Sequence, residues 1–182
     1  SLKIKKNEIM EPISNSMGFI SNRNINPILE NIIIEIDKNG ESTIKATNIN
    51  TYFIEKFNIS EEIEENFKIL INAKDILNTL SLMKPDIDIE LNINENILNI
   101  KQGEKNINLN TKNINEFPEV QEIENEYNFQ IDVKKFLNKL KNINFCISNE
   151  FNRIEYSGAH LTISGDNLYI SSADYMRVAT TN

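Results

Sequence analysis

The sequence predicts an α+β fold assembled from a repeated β-α-β-β-β unit. Short stretches of alternating apolar residues, bounded by Asn, Gly and Asp turn signals, read as strands. Three longer stretches place apolar residues at helical spacing. The order of these elements then repeats, with starts about 60 residues apart.

The first unit opens with a strand over 2–6 and a helix over 7–17, whose apolar residues are Ile9, Met10, Ile13 and Met17. Strands over 28–36, 42–47 and 51–57 follow, and Lys38-Asn39-Gly40 supplies a hairpin turn because Asn and Gly tolerate positive φ. The second unit starts with a strand over 67–71. Its helix, over 73–84, carries Ile76, Leu77, Leu80 and Met83 on one face and is expected to stop before Pro85. Strands over 87–91, 97–101 and 105–111 complete it, with turns at Asn94-Glu95-Asn96 and Gln102-Gly103. The third unit reads as a strand over 127–131 and a helix over 132–144, with Asp132 as N-cap and Val133, Phe136, Leu137, Leu140 and Ile143 as its stripe. Strands over 153–156, 160–164, 167–172 and 175–180 follow it, with a turn at Gly165-Asp166.

One such unit leaves a sheet edge and an apolar helix face uncovered, so units are expected to pair. Residues 1–112 then form one domain from units 1–62 and 66–112, and the acidic stretch 113–126 reads as a linker. Residues 127–182 read as the first half of a second domain, and the chain is expected to be a fragment.

Composition narrows the function. The 182 residues hold 31 Asn and 32 Ile, a bias attributable to AT-rich codons rather than to chemistry. No apolar run exceeds three residues, as at Ile32 to Ile34, which leaves no membrane-spanning helix in the sequence. A single cysteine, Cys146, permits no internal disulfide and suits a reducing compartment, so a cytoplasmic location is expected. The net charge of -8 argues at first against a nucleic-acid partner. That charge is uneven, however. The helical segments 3–19, 72–85 and 132–144 sum to +5, which leaves -13 on all other residues. Lysines solvating polar helix faces explain the split as simply as a basic surface for phosphates does.

No phosphate-binding loop, dinucleotide fingerprint, nucleophile elbow or zinc spacing occurs. Asp86, Asp88 and Glu90 alternate on one predicted strand face, which a solvated surface explains more cheaply than a cation site. Cys146 reads as a buried structural thiol and His160 stands alone. The expectation is therefore a protein without catalytic residues, metal or cofactor, acting by binding or scaffolding.

Five segments, in order, resemble the bacterial sliding clamps, the β subunits of the DNA polymerase III holoenzyme. Arg23-Asn24-Ile25-Asn26-Pro27-Ile28-Leu29 resembles an arginine ahead of a T-x-P-I-L-type strand start, and Thr47-Asn48-Ile49 a T-D-L-type turn. Asn115-Glu116-Phe117-Pro118 resembles the acid-Phe-Pro marker that ends the first domain. Phe145-Cys146-Ile147-Ser148 with Arg153 and Gly158, and Ala173-Asp174-Tyr175-Met176-Arg177-Val178-Ala179, resemble two stretches of the second domain.

The resemblance implies the clamp fold, with antiparallel sheets outside and helices lining one concave face. It implies a full-length chain that closes head to tail as a homodimer ring around duplex DNA, held without sequence preference. It also implies partners: the polymerase III alpha subunit, the clamp loader and repair polymerases. DNA-binding positions carried over are Arg23, Lys74 and Arg153; Lys134 and Lys135 join them from the basic third helix. Half of a groove for short linear motifs maps to Tyr156, Ala173, Tyr175, Met176, Arg177 and Val178, with Tyr175 where the family has glycine. Ile154 and Glu155 replace an aromatic pair. For Tyr156, Met176 and Val178 the plain alternative is core packing. The rival to a clamp is a β-rich interaction or adhesion module with no DNA role, which predicts lysines scattered in space.

Overall fold

The computed structural model describes residues 1–20, 26–38, 41–61, 63–85, 87–119, 128–148 and 153–181. It divides into two units, Ser1–Glu122 and Ile123–Asn182.

In the first unit, β1 (Leu2–Lys5) runs directly into α1 (Lys6–Ser16), and β2 (Asn31–Ile36), β3 (Glu41–Thr47) and β4 (Tyr52–Asn58) form a meander. The order then repeats as β5 (Phe67–Asn72), α2 (Ala73–Ser81), β6 (Asp88–Asn94), β7 (Ile97–Gln102) and β8 (Lys105–Lys112). All eight strands join one antiparallel sheet in the order β1-β6-β7-β8-β5-β2-β3-β4. The first strand of each repeat pairs with the meander of the other: β1 lies on β6, in register Leu2↔Leu91 and Ile4↔Ile89, and β5 lies on β2, in register Ile32↔Ile71 and Ile34↔Ile69. The two halves meet between β5 and β8 through only Leu70↔Lys112 and Ile71↔Thr111.

Side-chain alternation sends Ile32, Ile34, Ile36, Ile44, Ile69, Ile71, Ile89, Leu91, Leu98 and Ile100 to one face of this sheet, where Ile9 and Ile13 of α1 and Ile76 and Leu80 of α2 cover them. One continuous core thus serves both repeats, and the two helices lie against each other. On the opposite face a small cluster of Ile33, Leu70 and Phe117 is buried, so Phe117 fastens the segment after β8 to the sheet. Gly103 adopts φ of 59° and Gly165 φ of 57°, as their turns require.

Four predicted strands give way, wholly or in part, to other structure. Residues 27–30 form a 3-10 turn because Pro27 fixes the first φ, Asn26 accepts the Ile28 N–H, and Asn31 donates to the carbonyls of Pro27 and Ile28. Residues 154–156 also form a 3-10 turn, closed by Tyr156 N–H to the Arg153 carbonyl at 3.1 Å. Residues 174–177 form a loop ahead of the last strand. Residues 128–131 join no sheet, although Phe129 and Ile131 alternate as a strand would. The equivalent β1 is held by a strand of the companion repeat, and residues 128–181 contain one repeat only. The predicted helix end at Pro85 lies at Ser81, where Leu82 and Met83 turn back their N–H groups to the carbonyls of Thr79 and Leu80. The Asn39-Gly40 turn lies outside the described residues.

In the second unit, α3 (Val133–Ile143) packs on β10 (Asn167–Ala173) and β11 (Val178–Thr181), with β9 (His160–Ser164) on the other side of β10. Ser172 Oγ donates to the Ile143 carbonyl at 2.6 Å, joining sheet and helix end. Val133 and Leu137 on α3, and Leu161 and Ile163 on β9, remain exposed.

Because β1 and β5 carry the pairing between repeats, Ile4→Ala is expected to destabilise the whole first unit by about 2–5 kcal/mol. Hydrogen exchange in urea should show protection falling in β6 and α1 together. Ile49, a β-branched residue at φ of 77°, is strained in the turn between β3 and β4. Ile49→Asn, which tolerates that conformation, is expected to stabilise the unit by about 1 kcal/mol in thermal unfolding.

Candidate functional site

The lysines of the first unit do not all reach its helix surface. Lys3 and Lys5 sit on β1, and Lys3 pairs with Glu90 at 3.6 Å. Lys6 is 8% exposed, and its Nζ donates to the Met83 carbonyl at 2.8 Å, beyond the end of α2. A buried ammonium there satisfies one orphan carbonyl of a helix terminus and complements its negative end. The solvent side of α1 is therefore Asn7, Glu11, Ser14 and Asn15, and this helix is not basic.

On α2, Asn72 caps the helix by accepting the N–H groups of Lys74 and Asp75 at 3.0 and 3.1 Å. Lys74 is exposed in the first turn. A cation at that end opposes the helix dipole, so helix stability does not account for its place. Lys84 is exposed after the helix, and Gln102 pins its loop by accepting the Lys84 N–H and donating to the carbonyls of Lys84 and Ile87. Lys105 donates to the Leu82 carbonyl.

The most basic helix is α3. It carries Lys134, Lys135, Lys139 and Lys141 with no acidic residue between Val133 and Ile143. Asp132 caps it by accepting the Lys135 N–H at 2.9 Å, and Lys134, Lys135 and Lys141 are exposed to solvent. Arg23 lies outside the described residues.

The groove candidates gather on two loops of the second unit. Asp174 organises the loop between β10 and β11: Oδ1 accepts the N–H groups of Met176 and Arg177, and Oδ2 accepts Arg177 Nε at 2.9 Å and Nη2 at 2.6 Å. The Arg177 side chain, followed by the Met176 N–H, holds the Asp174 carboxyl below its usual 3.8, while the carboxylate raises the Arg177 guanidinium. Arg177 also donates to the Phe145 carbonyl at 3.2 Å and lies 5.5 Å over the Phe145 ring. Ala173 and Val178 are cross-strand partners at the base of this loop. Met176 is 90% exposed, and Tyr175 is 52% exposed.

Arg153 lies 5.3 Å over the Tyr175 ring, whose centroid is 5.4 Å from that of Tyr156. An arginine assigned to DNA and two tyrosines assigned to the groove are therefore in contact. Sequence reasoning passed over Asp174 as an organiser and Phe145 as the platform for Arg177. An Asp with Arg three residues on, ahead of a strand, is the signal for the first; the second has no local signal.

Among the described residues no group of three or more His, Cys, Asp or Glu could hold a metal ion. Glu90 is engaged by Lys3, Asp86 lies outside the described residues, and Cys146 is buried. No helix among the described residues is long and apolar enough to cross a membrane.

Paired β-α-β-β-β repeats sharing one antiparallel sheet, with their helices together on one face, define the clamp fold. The family model for the DNA polymerase III beta subunit, N-terminal domain, matches residues 1–121, and the chain belongs to that family. It is 22% identical to the beta sliding clamp of Pseudomonas aeruginosa, over 97% of this chain and 47% of that protein. It is 28% identical to the beta sliding clamp of Mycoplasma genitalium, again over 97% and 47%. The chain spans about half the length of the curated relatives it matches. The crystal structure of the Pseudomonas aeruginosa DNA polymerase III subunit beta superposes at a TM-score of 0.89 with 21% identity, covering 98% of this chain and 48% of that one. The beta subunit from the DNA polymerase of Streptococcus pyogenes gives 0.88 with 22% identity and the same coverage.

The lowered pKa of Asp174 fixes the direction of a pH effect. Its ordering of the 174–177 loop is present above the ordinary carboxyl range and lost as pH falls through the lowered folded value. A carbon-13 titration of the Asp174 carboxyl should give a midpoint below 3.8 that returns toward 3.8 in Arg177→Gln.

Proposed function

We propose that this chain is the N-terminal part of a sliding clamp, a scaffold without catalysis that rides on duplex DNA and tethers the replicative polymerase. In this reading residues 1–112 are one clamp domain, 113–126 connect it onward, and 127–182 begin a second. The full-length chain closes as a homodimer ring in the cytoplasm, and its grooves receive the DNA polymerase III alpha subunit, the clamp loader and repair polymerases.

The observation that carries the DNA role is the contrast between α3, with four lysines and no acid, and a chain of net charge -8. Exposed lysines give sequence-independent attraction to phosphates, and their modest number suits a surface that must slide. Lys74, Lys134, Lys135 and Arg153 form the proposed DNA set, with Arg23 included on resemblance. Tyr156, Ala173, Tyr175, Met176, Arg177 and Val178 form the proposed half-groove. The adhesion or interaction module without a DNA role is not favoured, because family membership and the basic α3 both point to DNA.

The test extends the polypeptide to the length of its relatives and loads it on nicked circular DNA. Retention on the circle with rapid loss after linearisation is expected; equal loss from both overturns the ring. In the same assay Lys134→Glu with Lys135→Glu should lower loading and flatten its salt dependence by about two phosphate contacts.

A further inference from the structure

The half-groove holds a ring that its neighbours do not leave free. Tyr175 comes from the β10–β11 loop, and Arg153 and Tyr156 come from the 153–156 turn. The guanidinium of Arg153 sits 5.3 Å from the Tyr175 centroid, and the two tyrosine rings are 5.4 Å apart at 52°. Both arrangements are attractive for a ring quadrupole. Met176, the next residue, projects into solvent at 90% exposure, whereas the Tyr175 ring lies against Tyr156 and Arg153. Tyr175 is drawn onto Tyr156 and Arg153 by their attraction for its ring.

The backbone beneath the ring is held separately. Asp174 accepts the N–H groups of residues 176 and 177, and Arg177 is bound both to Asp174 and to the Phe145 carbonyl. Rotation of the Tyr175 side chain therefore changes the surface without moving the loop.

Resting on the motif-groove reading above, we propose that Tyr175 is a side-chain gate over Tyr156. In the closed state its ring lies against Tyr156 and Arg153. An apolar side chain of a linear partner reaches Tyr156 only when the ring swings away, which also frees the Arg153 guanidinium. The partner this fits is a flexible segment with an apolar anchor for Tyr156 and a nearby carboxylate for Arg153. A segment that supplies both replaces the tilted ring contact with Tyr156 and the cation–π attraction of Arg153 that the closed ring provided. A segment that supplies one leaves the other unmatched, so the gate acts as a selectivity filter.

The experiment uses the 182-residue chain and a fluorescein-labelled hexapeptide bearing one leucine and one aspartate and no aromatic residue, with binding followed by anisotropy. Tyr175→Gly is expected to bind about tenfold more tightly than the unaltered chain, the scale of one aromatic pair and one exposed cation–π interaction. Tyr175→Phe, which keeps the ring, should bind like the unaltered chain. Proton NMR of the Arg153 side chain provides an independent reading: ring-current shifts present in the free chain should vanish at saturating peptide. Weaker binding by Tyr175→Gly makes Tyr175 a contact and overturns the gate, as do Arg153 shifts that persist at saturation. Absence of binding up to millimolar peptide in both the unaltered chain and Tyr175→Gly overturns the groove reading itself, and the gate with it.

Discussion

The first unit depends on one pairing: β1, at the start of the first repeat, completes the outer edge of the second repeat's meander at β6. At the centre of the sheet β5, the first strand of the second repeat, completes the edge of the first repeat's meander at β2. Neither meander therefore has a full set of backbone partners without the companion repeat. Unpaired strand edges and uncovered apolar faces are costly in water, and the exchange pairs one edge of each meander and brings both helices over one face. It also explains why one core contains Ile9 and Ile13 of the first repeat beside Ile76 and Leu80 of the second. Lys6 follows the same logic, since its ammonium leaves the first repeat to cap the end of the second repeat's helix. The helices are side by side because the strands that precede them are exchanged.

That constraint decides which charges remain available. The sequence average of -8 conceals a +5 total on helical segments, yet that total also misleads as a surface description. Lys6 is buried on the Met83 carbonyl and Lys3 lies on β1, which leaves α1 faintly acidic toward solvent. On α2, in the loop after it and on α3 the exposed cations are Lys74, Lys84, Lys134, Lys135 and Lys141. Phosphate attraction depends on exposed ammonium groups rather than on counts per segment, so a few positions matter more than the net figure.

The second unit shows the same separation between scaffold and display. Asp174 and Arg177 satisfy one another and the local backbone, fixing a loop from which Tyr175 and Met176 project. Arg153 bridges the proposed DNA set and the proposed half-groove, because the 153–156 turn brings it onto Tyr175 rather than into an extended strand.

The sequence by itself determined the repeated element order, most helix and strand cores, the turns at Gly103 and Gly165, and the family. These rest on periodicity, glycine conformation and short motifs, all of which act locally. Its errors fell where side chains bond the backbone or where a partner strand is needed. Asn26 and Asn31 bend residues 27–30 out of a strand, and Asp174 turns 174–177 into a loop. Residues 128–131 keep a strand-like pattern but join no sheet. Tertiary structure alone decided the exchange of first strands, the burial of Lys6 and the Arg153–Tyr175–Tyr156 contact. Each of these depends on residues far apart in sequence, and a spacing rule holds no information about which distant group will fill a vacant hydrogen bond or cover an exposed ring.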